Sequence, residues 1–154
     1  MFWGCFAGIK RGPGIFWEKD WGPIDATSYG QHIVPVIDGW IHLQRSENQD
    51  LIFMQDNASA HRAAITINDL EDRGIQVINW PPFSPDLNPI ESVWNWMKDY
   101  IAEHFPSKMS YDALRAAVRE AWEAVPEDFF EELLKTMEAR MKAVIEANGM
   151  HTKF

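Results

Sequence analysis

Two acidic residues, Asp56 and Glu91, stand at positions where side chains can bind a metal ion. Asp56 closes the short, largely apolar run 51–55, Glu91 follows the proline-rich segment 80–90, and 34 residues separate the two. Carboxylates at a strand end and a helix start can converge on one hard cation. Mg²⁺ is typically held by one or two carboxylates, with waters and substrate phosphates completing its shell. The pair therefore indicates metal-assisted phosphoryl chemistry.

Each of the two residues also has a purely structural explanation. Asp56 follows a predicted strand, at the end where ligands of α/β sheets collect, but Asp56, Asn57 or Ser59 could equally cap the next helix. Asn88 as N-cap, Pro89 at the first helical position and Glu91 at the third form a capping-box pattern. Taken one at a time, both acids are explained better by capping than by metal binding.

The remaining candidates for chemistry are weaker. His61 follows Asp56 by five residues, but the other histidines are scattered and no second cysteine accompanies Cys5, which argues against a zinc site. The sequence has no G-x-S-x-G, Walker or G-x-G-x-x-G motif, which argues against hydrolase, P-loop and dinucleotide-binding functions. Trp94 and Trp96 are interpreted as the core and rim of one helix.

Composition indicates one globular domain that binds nucleic acid weakly. The chain has 154 residues, 46% of them hydrophobic, and eight tryptophans. Its net charge is −9, although DNA binding draws much of its affinity from basic side chains. A catalytic domain whose metal ions neutralise the phosphates remains compatible with that charge. The single Cys5, expected to be a small buried apolar residue, fits a reducing compartment, and no apolar run is long enough to cross a bilayer.

The elements that position the acids are predicted to be α/β up to about residue 105 and helical from 106 to 154. The first half contains a hairpin (strands 1–7 and 15–18, turn 8–14) and a helix over 28–44 that Pro35 and Gly39 interrupt or weaken. Buried strands over 51–55 and 75–80 flank a helix that Gly74 ends, which predicts a right-handed βαβ unit with parallel strands.

Three helices are predicted beyond Pro89. The first has Ile90, Val93, Trp94, Met97 and Ile101 on one face and stops before Pro106. The second starts at Ser110 and buries Leu114, Ala117, Val118, Ala121 and Trp122. The third starts near Pro126, carries an apolar stripe of Phe130, Leu133, Met137, Met141 and Val144, and ends at Asn148-Gly149.

Two longer strings in the sequence resemble the second and third catalytic blocks of mariner-type transposases. These are QDNASAH at 55–61 and WPPFSPDLNPIESVW at 80–94, and the 34-residue gap matches one of that family's spacings. The opening residues 2–6 and the tail 109–154 also resemble the family. The resemblance covers nearly the whole chain and implies a ribonuclease-H-like mixed sheet of the DDE superfamily, truncated at its first central strand, followed by the C-terminal helices.

Carried over residue by residue, the resemblance makes Asp56 the second metal-binding aspartate and Glu91 the third acidic ligand. Asn57, His61 and Asn88 match motif positions expected to support them, either by orienting ligands or by forming turns. The implied chemistry is DNA strand cleavage and transfer with two Mg²⁺ or Mn²⁺ ions. The implied partners are transposon-end DNA and a second copy of the chain, without a membrane, and the implied location is the nucleus of a eukaryote.

The family's first aspartate has no counterpart in residues 1–154. Asp20, Asp25 and Asp38 fall in a turn or a helix and lack the strand context. Two hypotheses follow. Either the chain is part of a transposase catalytic domain that is inactive without an upstream segment, or it is a catalytically dead remnant that acts at most as a binding or dimerisation module.

Overall fold

The computed structural model describes residues 1–47 and 49–154, and it shows the mixed α/β architecture that the sequence predicts. The elements are β1 (Phe2–Ala7), β2 (Lys10–Phe16), α1 (Ala26–His32), α2 (Val34–Ser46), α3 (Ser59–Arg62), α4 (Ala64–Asp72), α5 (Ile90–His104), α6 (Tyr111–Ala124), α7 (Glu127–Lys135) and α8 (Met137–Glu146).

The chain divides into two compact units. The first unit comprises residues 1–16 and 85–154, and the second comprises residues 17–84. The predicted domain division at residue 105 stays a prediction. Within the described residues, no helix combines the length and the apolar character needed to cross a membrane.

In the first unit, β1 and β2 form the predicted antiparallel hairpin, but its turn is shorter than expected. Lys10 already pairs with Ala7, so residues 10–14 belong to β2 instead of the turn. The register shifts between Gly4 and Phe6, which leaves Gly12 and Pro13 together opposite one residue of β1. Such a bulge tolerates proline, which cannot donate a ladder hydrogen bond, and for this reason the two turn-forming residue types misled the prediction.

Helices α5 to α8 follow the predicted pattern with two corrections. Ser110 caps α6 as expected, since its hydroxyl accepts a hydrogen bond from the backbone N–H of Ala113. Leu114 is 43% exposed and not buried, because it lies in the first turn of α6, ahead of the buried stretch that begins at Ala117. The predicted third helix is two helices, α7 and α8, broken at Thr136.

The break at Thr136 changes which side chains of α8 are buried. Met141 was predicted to continue the apolar stripe, but it is 48% exposed, while the adjacent Arg140 is only 3% exposed. A stripe extrapolated at helical spacing from Phe130 and Leu133 loses its phase when the helix is interrupted. The prediction for Met141 was therefore wrong.

The core of the first unit lies between the hairpin and α5, α6 and α7. Its buried members are Val93, Met97, Ala121, Trp122, Val125, Phe130 and Leu133. Trp94 packs on Trp122 at 5.7 Å between ring centroids, whereas Trp96 stacks on Tyr100. Both side chains are partly buried against the core, so their assignment to core and rim stays a prediction. Cys5 is partly buried, and desolvation raises the pKa of its thiol.

Two glycines opposite each other in the hairpin make room for the Trp122 indole. Gly4 pairs with Gly14 across the strands. A Cβ atom on Gly4 would lie 3.0 Å from Trp122 Cη2, and one on Gly14 would lie 2.5 Å from Phe2 Cζ and 2.8 Å from Trp122 Cδ1. The absence of side chains at this pair lets the largest core residue lie directly on the hairpin.

Gly14→Ala is therefore expected to destabilise the chain by about 1–3 kcal/mol, the usual cost of overpacking a core. Urea unfolding followed by far-ultraviolet circular dichroism measures the change. Gly39→Ala is the control, because no atom lies within 4 Å of a Cβ at that position in α2, and alanine there is expected to stabilise by about 0.5–1 kcal/mol. Equal effects of the two substitutions would contradict the packing argument.

The second unit contains two helices where one was predicted over 28–44. The chain breaks at Ile33, between α1 and α2, and Pro35 occupies the first turn of α2, where a missing N–H costs nothing. Gly39 lies inside α2 without ending it. The helix predicted before Gly74 is likewise divided into α3 and α4, and Gly74 adopts φ +67° after α4 as expected of a C-terminal cap.

The predicted strands over 51–55 and 75–80 are reduced to one parallel bridge between Phe53 and Val77. Phe53 donates its N–H to Gln76 O, and Ile78 donates to Phe53 O, both at 2.8 Å. The parallel direction, with α3 and α4 between, confirms that part of the βαβ prediction, whereas its handedness stays a prediction. Burial on both faces was wrong, since Ile52 is 53% and Ile78 41% exposed. A strand is buried on both faces only when other elements cover both of its faces, and a single bridge does not supply those covering elements.

Candidate active site

Asp56 lies three residues after the bridge residue Phe53, in an exposed turn. Its Oδ1 accepts a hydrogen bond from the backbone N–H of Ala58 at 3.0 Å and one from His61 Nδ1 at 2.6 Å. Because an ionised carboxylate only accepts, His61 must carry its proton on Nδ1. Within residues 1–47 and 49–154, the structure gives Asp56 Oδ2 no hydrogen-bond partner, and the side chain is 54% exposed. Oδ1 of Asp56 is therefore held by two hydrogen bonds, and Oδ2 is available to a cation.

The capping explanation for Asp56 does not hold in its predicted form. Helix α3 begins at Ser59, its N-cap is Ala58, and no side chain caps it. The bond from Ala58 N–H to Asp56 Oδ1 closes a turn two residues long, which places the carboxylate ahead of the helix. Asn57 donates its amide to Trp80 O, and this bond ties the residue after Asp56 to the beginning of segment 80–90.

Tyr29 supports this side of the site, and sequence reasoning missed it. Its side chain is 2% exposed, its ring centroid lies 4.5 Å from that of His61, and its hydroxyl donates to Gln55 Oε1 at 3.1 Å. Tyr29 thus contacts the residue before Asp56 and the histidine that holds Asp56. Helical periodicity in α1 gives no sign of this contact, because the partners lie more than 25 residues away in sequence.

Glu91 lies in the first turn of α5 with a free carboxylate. The predicted capping box is absent, since Pro89 and not Asn88 is the N-cap and no side chain caps the helix. Asn88 instead accepts a hydrogen bond at Oδ1 from the N–H of Ile90 at 3.4 Å. In the part of the chain that the structure describes, the Glu91 side chain has no hydrogen bond and no ion pair. Glu91 therefore does not act as the helix cap that the sequence predicts.

The segment before Glu91 is held by polar groups that are almost fully buried. Asp86 and Asn88 are each 7% exposed, and Asp86 accepts a hydrogen bond from the backbone N–H of Thr152. Hydrogen bonds from the side chain and backbone of Thr152 lower the pKa of Asp86, and nearby His151 adds to that effect. Arg140 also contacts this segment, at the backbone oxygen of Asp86. The sequence did not single out Asp86 or Arg140, because Asp86 lies 54 residues from Arg140 and 66 residues from Thr152.

The available donors fit a hard divalent cation. Asp56 offers one free oxygen and Glu91 offers its whole carboxylate, and such oxygen ligands suit Mg²⁺ and Mn²⁺ better than softer metals. Among the described residues, no three His, Cys, Asp or Glu side chains gather as a metal-binding cluster. Asp56 belongs to the second unit and Glu91 to the first.

Comparison with known proteins gives consistent results. The family described as "DDE superfamily endonuclease" matches residues 25–114. The chain is 30% identical over 154 residues to the Transposable element Tcb1 transposase of Caenorhabditis briggsae and 29% identical to the Tc1 transposase of Caenorhabditis elegans. Each of these matches covers 100% of this chain and 54% of the relative. The chain therefore spans about half the length of the curated relatives it matches.

Solved structures show the same fold. The Mos1 transposase catalytic domain with raltegravir and Mn superposes with a TM-score of 0.71 at 22% identity, covering 85% of this chain and 66% of that one. A pre-cleavage Mos1 transpososome gives a TM-score of 0.78 at 19% identity, covering 96% and 44%. The predicted ribonuclease-H-like fold is confirmed by this likeness. With the family match over 25–114, these results show that the chain belongs to the DDE superfamily of endonucleases, as a mariner-type member.

Proposed function

We propose that this chain is part of a transposase catalytic domain in which Asp56 and Glu91 bind the metal ions for DNA strand cleavage and transfer. The observation that carries the proposal is the free carboxylate of Glu91. A glutamate at the start of a helix would ordinarily satisfy a backbone N–H, and here it does not. A negative charge beside a helix N-terminus is favoured by the helix dipole, and a carboxylate with no partner there is available to a cation.

The protein's own groups hold these ligands in place. When bound, a pair of divalent ions would activate the attacking oxygen and stabilise the leaving oxygen. His61 fixes Oδ1 of Asp56 and leaves Oδ2 as the donor. Asn57 donates to Trp80 O at the start of segment 80–90 and Asn88 accepts from the N–H of Ile90 near its end, and in this proposal they aim the ligands without touching the metal.

Residues 1–154 supply two of the three carboxylates that the family uses. The other acids near the start of the chain are engaged elsewhere or lie in a different context. Asp25 caps α1 by accepting the N–H of Ser28 at 2.9 Å, and Asp38 pairs with Arg73 and His42, each at 3.0 Å. Asp20 lies in a 3-10 turn, not on a strand. We therefore infer that this stretch does not complete the metal site alone.

Purified residues 1–154 are expected not to nick supercoiled plasmid DNA in Mg²⁺ or Mn²⁺ above the level seen with chelator, because a site with two ligands leaves the metals under-coordinated. Agarose gel electrophoresis of the relaxed form measures the rate. Robust Mg²⁺-dependent nicking that disappears in Asp56→Ala would overturn this inference. Reading the genomic codons before Met1 is a second test: an in-frame strand ending in aspartate supports the transposase proposal, and stop codons support a remnant.

The partners and the metal ion are proposed by analogy with the relatives. The Mos1 structures include a paired-end complex with left transposon end, and catalytic domains with Mn and with Mg. We propose transposon-end DNA, a second copy of the chain, and Mg²⁺ or Mn²⁺ as the partners here, with a nuclear location in a eukaryotic host. The net charge of −9 indicates that this part of the protein binds DNA weakly without basic segments.

The alternative, a remnant that acts as a dimerisation module, is favoured by one observation. Leu134, Met141 and Ile145 on α7 and α8 are 38%, 48% and 74% exposed. Contiguous exposed apolar side chains mark interaction surfaces, and Met141 and Ile145 lie one helical turn apart on α8. Sedimentation equilibrium tests this surface, since the module requires a dimer that is lost in Ile145→Ser. The absence of upstream coding sequence then distinguishes the remnant from the transposase domain, which is also proposed to bind a second copy.

A further inference from the structure

Arg140 links helix α8 to both sides of Glu91. Its Nη1 donates to the backbone oxygen of Asp86 at 2.8 Å, and its Nη2 donates to Ser92 Oγ at 2.9 Å. Asp86 lies in the turn that precedes α5, and Ser92 is the residue directly after Glu91. One rigid guanidinium therefore fixes the turn before the glutamate and the first helical turn that carries it.

Arg140 is itself held in a single position. Its Nε donates to Thr136 Oγ1 at 2.8 Å, and its guanidinium carbon lies 4.9 Å from the centroid of the Phe154 ring. The Thr136 hydroxyl in turn donates to Leu133 O at 2.6 Å, which anchors it to the end of α7. The C-terminal residues close the network, since Thr152 donates to the Asp86 carboxylate.

The positive charge of Arg140 is almost fully buried. Arg140 is 3% exposed, and burial lowers the pKa of its guanidinium while the Asp86 carboxylate opposes that change. A buried arginine is costly, and hydrophobic residues of similar volume often stabilise a protein as well or better. Two of its three hydrogen bonds go to the segment around Glu91, at Asp86 O and Ser92 Oγ, and this arrangement provides geometric precision that an apolar side chain would not.

We propose that Arg140 is a positioning residue for Glu91, acting through Asp86 O and Ser92 Oγ, so that α8 and the C-terminal residues form part of the metal site. The family match ends at residue 114, before α7, α8 and residues 147–154. The inference rests on the proposed function of Glu91 as a metal ligand. It assigns residues after 114 to the support of that ligand.

The test measures Mn²⁺ binding to residues 1–154 by electron paramagnetic resonance titration. Arg140→Met and the milder Ser92→Ala are expected to weaken the Glu91-dependent Mn²⁺ affinity by roughly tenfold or more and severalfold, respectively, as loss of an outer-shell partner typically does. Lys142→Met is the matched control. It removes a charge from the same helix, where Lys142 is exposed and pairs only with Glu138 among the described residues, and it is expected to leave affinity unchanged.

Repeating both substitutions in a Glu91→Gln background separates positioning from general destabilisation. If Arg140 acts through Glu91, its effect on Mn²⁺ affinity disappears once Glu91 is neutral, while the effect persists in an Asp56→Asn background. Equal losses in both backgrounds, or unchanged affinity in Ser92→Ala and Arg140→Met, would overturn the inference. If Glu91→Gln by itself leaves Mn²⁺ affinity unaltered, the proposed function of Glu91 fails instead. Should Arg140→Met not fold, Ser92→Ala decides the question.

Discussion

Replacing Trp122 by alanine is expected to lower the free energy of unfolding by about 3–5 kcal/mol, the range for removing a large buried aromatic side chain. Trp122 is 2% exposed and is the largest fully buried side chain of the chain's described residues. Its ring centroid lies 5.8 Å from that of Phe2, 5.7 Å from Trp94 and 6.2 Å from Phe130. The indole thus joins the hairpin, α5, α6 and α7 of the first unit.

The cavity left by this substitution cannot close easily. Gly4 and Gly14 face the indole and have no side chains that could move into the space. Urea unfolding followed by circular dichroism gives the change in free energy. Tyr111→Ala, on the same helix but 65% exposed, is the matched control and is expected to cost less than about 1 kcal/mol. A loss below about 1.5 kcal/mol for Trp122→Ala would show that the hairpin does not depend on this contact.

The parts of the fold that could be predicted from sequence are those set by local chemistry. Ser110 was identified as an N-cap because a hydroxyl before an apolar-periodic run satisfies an orphan N–H, and the structure contains that bond. Helix α5 was predicted from the spacing of its apolar residues, and it ends at His104, just before Pro106, as expected. The parallel direction of Phe53 and Val77 followed from the order strand, helix, strand.

The parts that could not be predicted depend on distant partners. The turn of the hairpin was predicted to be too long because Gly12 and Pro13 are turn formers locally, yet pairing with β1 draws them into a bulge. Met141 was predicted to be buried and is exposed, while Arg140 is buried, because the break at Thr136 ends the regular periodicity. No helix or strand pattern identifies an arginine whose acceptors lie 48 and 54 residues away.

The candidate site also combines features that the sequence predicts with features that depend on distant partners. Asp56 and Glu91 were located by motif, and each had a capping explanation that sequence alone could not remove. The structure removes it for Glu91, whose side chain makes no cap, and changes it for Asp56, whose Oδ1 accepts from Ala58 N–H and His61 Nδ1. The sequence identified the candidate ligands, whereas the buried residues that contact their segments could be identified only from the fold.

Joining residues 1–154 to an upstream strand that ends in aspartate is expected to give Mg²⁺-dependent nicking of transposon-end DNA. In that longer protein, Asp56→Asn or Glu91→Gln is expected to lower the rate on the order of 10³-fold. A metal ion stabilises transition-state charge by several kcal/mol, and each ~1.36 kcal/mol is tenfold in rate. The amide substitutions keep size and shape. At position 56 the amide oxygen can still accept from Ala58 N–H, so folding should be preserved.

Two further carboxylates provide controls for this experiment. Glu103→Gln on α5 and Asp72→Asn on α4 remove the same charge at exposed positions, and both are expected to leave the nicking rate within about twofold. A control variant that slows nicking as much as Glu91→Gln would mean that net charge, and not ligation, sets the rate. Glu91→Gln retaining near-full activity would remove Glu91 from the site. Because the Glu91 carboxylate has no partner among the described residues, its substitution tests ligation with little effect on stability.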